Sequence, residues 1–135
     1  GWLVERCAGM HDARELRGLQ AYQPHQMGRS SCGFVGLRNM GSTCYMNALL
    51  QQLHHVPEFK EGVLGAEVPR EGEERGLMRE LQCLFGYAQE SLKHCYDTAG
   101  FCGAHENGGE PHNVSVQMDV DEYLNILFDK LERGL

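Results

Sequence analysis

Apolar residues fall at helical spacing in three stretches of the chain. From Ser42 or Thr43 to about Val56, Met46, Leu49, Leu50 and Leu53 share one face, which Tyr45 and Ala48 widen. That pattern predicts a buried helix. Either hydroxyl can cap its start, and Pro57 stops it. A second helix is predicted from about Glu74 to Lys93, where Leu77, Leu81, Leu84, Phe85, Ala88 and Leu92 form the stripe. The third begins at Asp119, with Glu122 three residues on in a D-x-x-E capping pattern. Val120, Tyr123, Leu124, Leu127, Phe128 and Leu131 then line one face, and Gly134 fits a C-cap.

Between these stretches the pattern fails. Residues 57–73 carry Gly62, Gly65, Pro69 and Gly72, and residues 97–116 carry Gly100, Gly103, Gly108, Gly109 and Pro111, so both read as loops. Phe34-Val35 is too short to assign as a strand. Residues 1–32 are weakly patterned: Asp12 and Glu15 could cap a short helix before Leu16 and Leu19, Gly18 interrupts it, and the run 23–31 is polar. They read as a leader outside the domain, which occupies 33–135.

Composition changes the picture in two ways. The 135 residues carry 12 Lys+Arg against 19 Asp+Glu, a net charge of −7. This disfavours nonspecific nucleic-acid binding and suits a basic protein partner. No run of about 18 apolar residues is present to span a membrane. The six cysteines (Cys7, Cys32, Cys44, Cys83, Cys95 and Cys102) come without a secretory h-region at Gly1–Arg6. Reduced thiols in an intracellular protein, cytoplasmic or nuclear, are therefore expected.

The candidate chemistry lies at the start of the first helix. Gly36-Leu37-Arg38-Asn39-Met40-Gly41-Ser42-Thr43-Cys44-Tyr45-Met46-Asn47-Ala48-Leu49-Leu50-Gln51 runs from a glycine-containing turn into the helix, with Cys44 in its first turn. Unpaired N–H groups and the positive end of the helix dipole stabilise a thiolate there. Asn39, across the turn, could donate its amide to an oxyanion beside the Cys44 N–H, and Gly41 would let the backbone approach a substrate. On residue chemistry alone a second reading stands, in which Cys44 is a small core hydrophobe and Asn39 a turn residue.

The segment resembles the cysteine box of the ubiquitin-specific proteases, G-L-x-N-x-G-x-T-C-Y-x-N-x-x-x-Q, at Gly36, Leu37, Asn39, Gly41, Thr43, Cys44, Tyr45, Asn47 and Gln51. Ser42 stands where the family often has Asn. Gln117-Met118-Asp119-Val120-Asp121-Glu122-Tyr123 is similar to the family's Q-Q-D-x-x-E-F box, with Met118 for the second Gln and Tyr123 for Phe. The resemblance covers residues 33–133, and Gly33-Phe34-Val35-Gly36-Leu37, Gln51-Gln52-Leu53 and the connection from Phe101 to Gln117 look most like the large, fat-facets-type members. The resemblance implies an α+β papain-like cysteine protease fold, of which this mostly α-helical stretch would be the N-terminal part, the helical thumb. It implies ubiquitin and ubiquitinated proteins as partners, and hydrolysis after the C-terminal Gly-Gly of ubiquitin. Cys44 would be the nucleophile and Asn39 would help hold the oxyanion. Asp119 and Glu122 would contact the extended, Arg-containing ubiquitin tail, with Gln117 and Tyr45 as neighbours of its channel. The capping role of Asp119 and Glu122 is compatible with that contact.

The resemblance also implies a general-base His, oriented by Asp or Asn, beyond Leu135. His54 and His55 sit about 15 Å along the helix axis from the thiol. His11, His25, His94, His105 and His112 read as exposed loop or helix-end histidines. The chain alone is therefore expected to be inactive, and the alternative to an enzyme is a truncated or inactive relative that acts as a non-catalytic ubiquitin-binding module. Cys95, Cys102 and His105 have the spacing C-x6-C-x2-H, without the C-x2-C knuckle of structural zinc, so no metal and no cofactor is assigned. The oligomeric state is left open.

Overall fold

Pro57 ends one helix and starts another. Helix α1 spans Cys44–His54 and helix α2 spans Pro57–Gly65, where the glycine content predicts a loop. The computed structural model describes residues 27–107 and 110–134. Proline at the first helical position gives up an N–H that lacks an intrahelical partner anyway, and its fixed φ suits the helix. Glu58 faces the positive end of the dipole in the first turn of α2. Phe59 and Val63, four residues apart, turn one edge of α2 onto the core. That burial outweighs the cost of Gly62 and Gly65.

Helix α3 spans Glu73–Glu90, the short α4 spans Ala99–Ala104, and α5 spans Val120–Gly134. Helix α3 is central and packs against α2, α4 and α5, while α1 packs against α2 and α5. The predicted stripes bury against one another. Tyr45, Met46, Leu50 and Leu53 of α1 meet Leu77, Met78, Leu81, Leu84 and Phe85 of α3 and Tyr123, Leu127 and Leu131 of α5 in one cluster. Ala48 of α1 is exposed, and so is Leu92 at 81 %, because α3 stops at Glu90 and Ser91 turns to extended backbone. Val120, at the first turn of α5, is exposed as well.

The 97–116 stretch also holds more structure than its glycines suggest. Phe101 and Cys102 are buried and seat α4 on the core. Strand β1 (Gly36–Leu37) pairs in parallel with β2 (Cys95–Tyr96), Gly36 opposite Cys95 and Leu37 opposite Tyr96. Strands β3 (Glu106–Asn107) and β4 (Glu110–Pro111) pair antiparallel. Two-residue strands have no alternation for a sequence pattern to reveal.

Residues 27–32, the described part of the predicted leader, are tied to this fold. The Arg29 guanidinium donates to the carbonyls of Ala88 (3.0 Å), Gln89 (3.0 Å) and Ser91 (2.8 Å), which lie at the end of α3. Its Nε donates to the Gly33 carbonyl at 2.8 Å. A cation here satisfies orphan carbonyls and complements the helix dipole. Gly28 bridges to Lys93, and the Arg29 N–H donates to the Leu92 carbonyl. The short helix predicted around Asp12, Leu16 and Leu19 lies outside the described residues. No helix among the described residues is long and apolar enough to cross a membrane.

Candidate active site

Cys44 is the first residue of α1, and its thiol is exposed. The chain reaches it through a turn organised by one side-chain oxygen. Asn39 Oδ1 accepts from the Gly41 N–H (2.9 Å), the Thr43 N–H (3.3 Å) and the Thr43 hydroxyl (3.0 Å). The Thr43 hydroxyl in turn accepts from the Met40 N–H at 3.1 Å. Thr43 is fully buried and looks back into the turn, so it does not cap α1 as the sequence pattern suggests, and no side chain does. The first-turn N–H groups beside Cys44 therefore lack a side-chain acceptor. Asn39 Nδ2 makes no hydrogen bond among the described residues, and the residue is exposed.

Gly41 has φ 146°, and a Cβ built on it would lie 2.7 Å from the Val114 carbonyl oxygen. That same oxygen accepts the Ser42 N–H at 2.7 Å. The close approach expected at Gly41 is thus made to the Val114 backbone. Two other residues of the sequence box anchor α1 to the strand before it. Asn47 Nδ2 donates to the Arg38 carbonyl at 3.1 Å, and Gln51 Nε2 donates to the Val35 carbonyl at 2.8 Å. Thr98 ties β1 to α4 by donating to the same Arg38 carbonyl.

Behind the thiol lies a buried polar group of four rings. The Tyr45 hydroxyl meets His112 Nε2 at 2.6 Å, and the Tyr123 hydroxyl meets His105 Nδ1 at 2.9 Å. The two imidazoles stack at 5.2 Å with 21° between planes, and the two phenols meet edge to face at 5.3 Å. All four side chains are buried. Burial pushes His105 down to about 3 and lowers His112 as well, with the Lys130 charge adding to both. Burial raises both tyrosines. The expectation that His105 and His112 are exposed loop histidines is therefore overturned: Phe101 packs edge to face on His105, and Tyr123 packs on both imidazoles. Tyr45 sits in the wall behind Cys44, with its hydroxyl already engaged.

Asp119, Glu122 and Gln117 are exposed at the start of α5. Asp119 Oδ1 accepts the Asp121 N–H at 2.8 Å, and its carbonyl accepts the Tyr123 N–H at 3.0 Å, so Asp119 caps the helix. No reciprocal bond from Glu122 forms among the described residues, which leaves half of the expected capping box and a free Glu122 surface. The contact of Tyr45 with Tyr123 sets the starts of α1 and α5 side by side. The carboxylates are thus on the element next to the helix that begins at Cys44.

None of the hydrogen bonds among the described residues joins a histidine to Cys44. His54 packs edge to face on Phe85, and His55 Nδ1 lies 2.6 Å from the Gln51 carbonyl. His11 and His25 fall outside the described residues. Cys102 is buried and Cys95 half-buried, and burial raises both thiols. No three His, Cys, Asp or Glu side chains converge to hold a metal among the described residues. A cavity of about 580 Å³ between α2, α3 and α5, lined by Phe59, Val63, Met78 and Leu131, does not include Cys44. The sequence reading missed His112, Val114 and Arg29. The polar, glycine-rich runs that hold them carry no period, and only long-range contacts reveal their roles.

A family model described as ubiquitin carboxyl-terminal hydrolase matches residues 35–135. Ubiquitin carboxyl-terminal hydrolase puf of Drosophila melanogaster is 37 % identical over 112 residues, which cover 82 % of this chain and 3 % of that protein. Ubiquitin carboxyl-terminal hydrolase 34 of Homo sapiens is 35 % identical over 111 residues, 82 % of this chain and 3 % of that protein. Ubiquitin carboxyl-terminal hydrolase 24 of Homo sapiens is 35 % identical over 114 residues, 84 % of this chain and 4 % of that protein. The chain spans only a few per cent of the length of these curated relatives.

Proposed function

The chain belongs to the ubiquitin carboxyl-terminal hydrolase family, and we propose that it supplies the nucleophile-bearing, helical thumb part of a papain-like thiol hydrolase that cleaves after the C-terminal glycine of ubiquitin. One observation carries this reading: Cys44 is exposed at the uncapped first residue of α1, with Asn39 fixed across the turn. Cys44 sulfur attacks the carbonyl of the terminal glycine. Asn39 Nδ2 and the Cys44 N–H donate to the oxygen as it gains charge. A general base takes the thiol proton and gives it to the leaving amine as the C–N bond of the tetrahedral intermediate breaks, and water then hydrolyses the thioester, releasing ubiquitin and restoring the thiol. A general-base His comes from the part of the catalytic domain that lies outside these residues. Asp119 and Glu122 offer carboxylates to the basic ubiquitin tail, Gln117 flanks them, and Tyr45 backs the channel wall. The large relatives fit the fat-facets-type branch, and reduced thiols suit the cytoplasm or nucleus.

A second reading, a non-catalytic ubiquitin-binding module, draws on the absence of a histidine bonded to Cys44 among the described residues. Fluorophore release from the C-terminus of ubiquitin separates the two. The catalytic domain that contains this chain is expected to release it, Cys44→Ser is expected to abolish release, and the 135-residue chain alone is expected to be inactive. A catalytic domain that releases no fluorophore, or one whose activity survives Cys44→Ser, would overturn the proposed reaction.

A further inference from the structure

Segment 112–114 is fastened to the residues on both sides of the nucleophile. Ser42, two before Cys44, donates its N–H to the Val114 carbonyl at 2.7 Å. Tyr45, one after Cys44, meets His112 Nε2 through its hydroxyl at 2.6 Å. The segment then runs on through Gln117 to Asp119, and Met118 packs against the core just before α5 begins. The loop that carries the tail-facing groups is thus held at one end by the nucleophile turn and at the other by the core.

We propose that His112 is a positioning residue: its bond to Tyr45 latches segment 112–119 to the Cys44 turn and so sets the register between the nucleophile and the groups that hold the ubiquitin tail. This deepens the proposed function and rests on its assignment of Asp119 and Gln117 to the tail. His112 suits the role by its chemistry. A neutral imidazole with Nε2 unprotonated accepts from the Tyr45 hydroxyl. Its buried environment and the nearby Lys130 charge keep the ring neutral. The stack on His105, itself bonded to Tyr123 of α5, fixes the ring plane. A leucine or valine at 112 could fill the space but could not engage the phenol, which would be left buried without a partner.

Hydrogen exchange in the intact protein tests the latch directly. Peptides covering residues 40–46 report the Ser42 amide, and residues 78–86 of α3 serve as the global control. Tyr45→Phe and His112→Phe are expected to speed exchange in the first peptide roughly five- to tenfold, the scale of one lost hydrogen bond, and to leave the second unchanged. His112→Gln, which keeps a carbonyl acceptor, is expected to restore most of the protection. In steady-state cleavage of fluorogenic ubiquitin, the two Phe variants are expected to lower kcat several-fold with little change in KM, and Gln is expected to rescue. Unchanged exchange at 40–46, or equal acceleration of both peptides, would overturn the latch. Accelerated exchange with kcat intact would overturn its positioning role. If the parent protein cleaves no ubiquitin, the proposed function fails while the exchange data still decide whether the latch exists.

Discussion

Thr43 reaches Asn39 twice: its backbone N–H and its hydroxyl both donate to Asn39 Oδ1, at 3.3 and 3.0 Å. This pair joins the structure of the turn to its chemistry. The oxygen end of the amide builds the approach to α1, and the nitrogen end is the donor that the proposed reaction uses.

The two ends are separable by substitution. Asn39→Asp keeps an acceptor for Gly41 and Thr43 but replaces the amide donor by a second oxygen. Cleavage of fluorogenic ubiquitin by the catalytic domain is expected to fall about 10²- to 10³-fold, the usual effect of removing an oxyanion donor, with little change in thermal stability. Asn39→Ala removes both functions and is expected to lower stability as well. Equal activity of Asn39→Asp and the parent would remove Asn39 from the oxyanion site.

Gly41 makes a sharper stability prediction. Any side chain there meets both the unfavourable φ of 146° and the Val114 carbonyl 2.7 Å from its Cβ. Gly41→Ala is expected to cost about 1–3 kcal/mol in urea unfolding and to loosen the Ser42–Val114 bond. A cost near zero would mean that the 112–116 segment moves away freely.

How far the sequence disclosed this molecule follows from where period exists. The faces of α1, α3 and α5 were legible because Leu50, Leu81 and Leu127 recur with their neighbours every three to four residues. The motif that singles out Cys44, Asn39, Asp119 and Glu122 is legible because residue types and spacing are dense there, and the roles proposed for them rest on that motif. Helix α2 was hidden by Gly62 and Gly65, whose cost is outweighed by contacts of Phe59 and Val63 that the local sequence does not reveal. The burial of His105 and His112 depends on Tyr45 and Tyr123, far away in sequence. Thr43 has the residue type of a cap, but Asn39 captures its hydroxyl first.

Arg29 carries a prediction about where the folded unit starts. Its guanidinium serves three carbonyls around the end of α3 and one at Gly33. Arg29→Ala is expected to destabilise the protein by about 1–3 kcal/mol, as for hydrogen bonds from a charged donor, and to speed amide exchange near residues 88–94. A neutral substitution would show residues 27–32 to be a passive lead-in.

The buried imidazoles predict an acid-sensitive fold. His105 is held at about 3 and His112 is also lowered, against an ordinary value of 6.5. Tyr45, Tyr123, Phe101 and Lys130 surround the pair, and none offers it a negative partner. As pH falls, the unfolded chain takes up these protons first. The contribution of the pair is therefore intact above about 6.5 and is lost below it, until His105 itself protonates in the folded state near 3. Between these two values the loss from His105 approaches about 1.4 kcal/mol per pH unit, and His112 adds to it in the same direction. Urea unfolding at pH 7 and pH 5 should show the drop, and His112→Gln should reduce it. An equal drop in the variant would exclude His112 as a source.

The central claim is that Cys44 is the nucleophile for the C-terminus of ubiquitin. Ubiquitin bearing an electrophile in place of its terminal carboxylate tests it most directly, with the adduct site mapped by mass spectrometry on the catalytic domain. Cys32 and Cys83 are exposed, and a bond from Ser30 lowers the Cys32 thiol, so both are stringent internal controls. The account predicts one adduct, on Cys44, lost in Cys44→Ala. An adduct on Cys32 or Cys83, or none on Cys44, would contradict it.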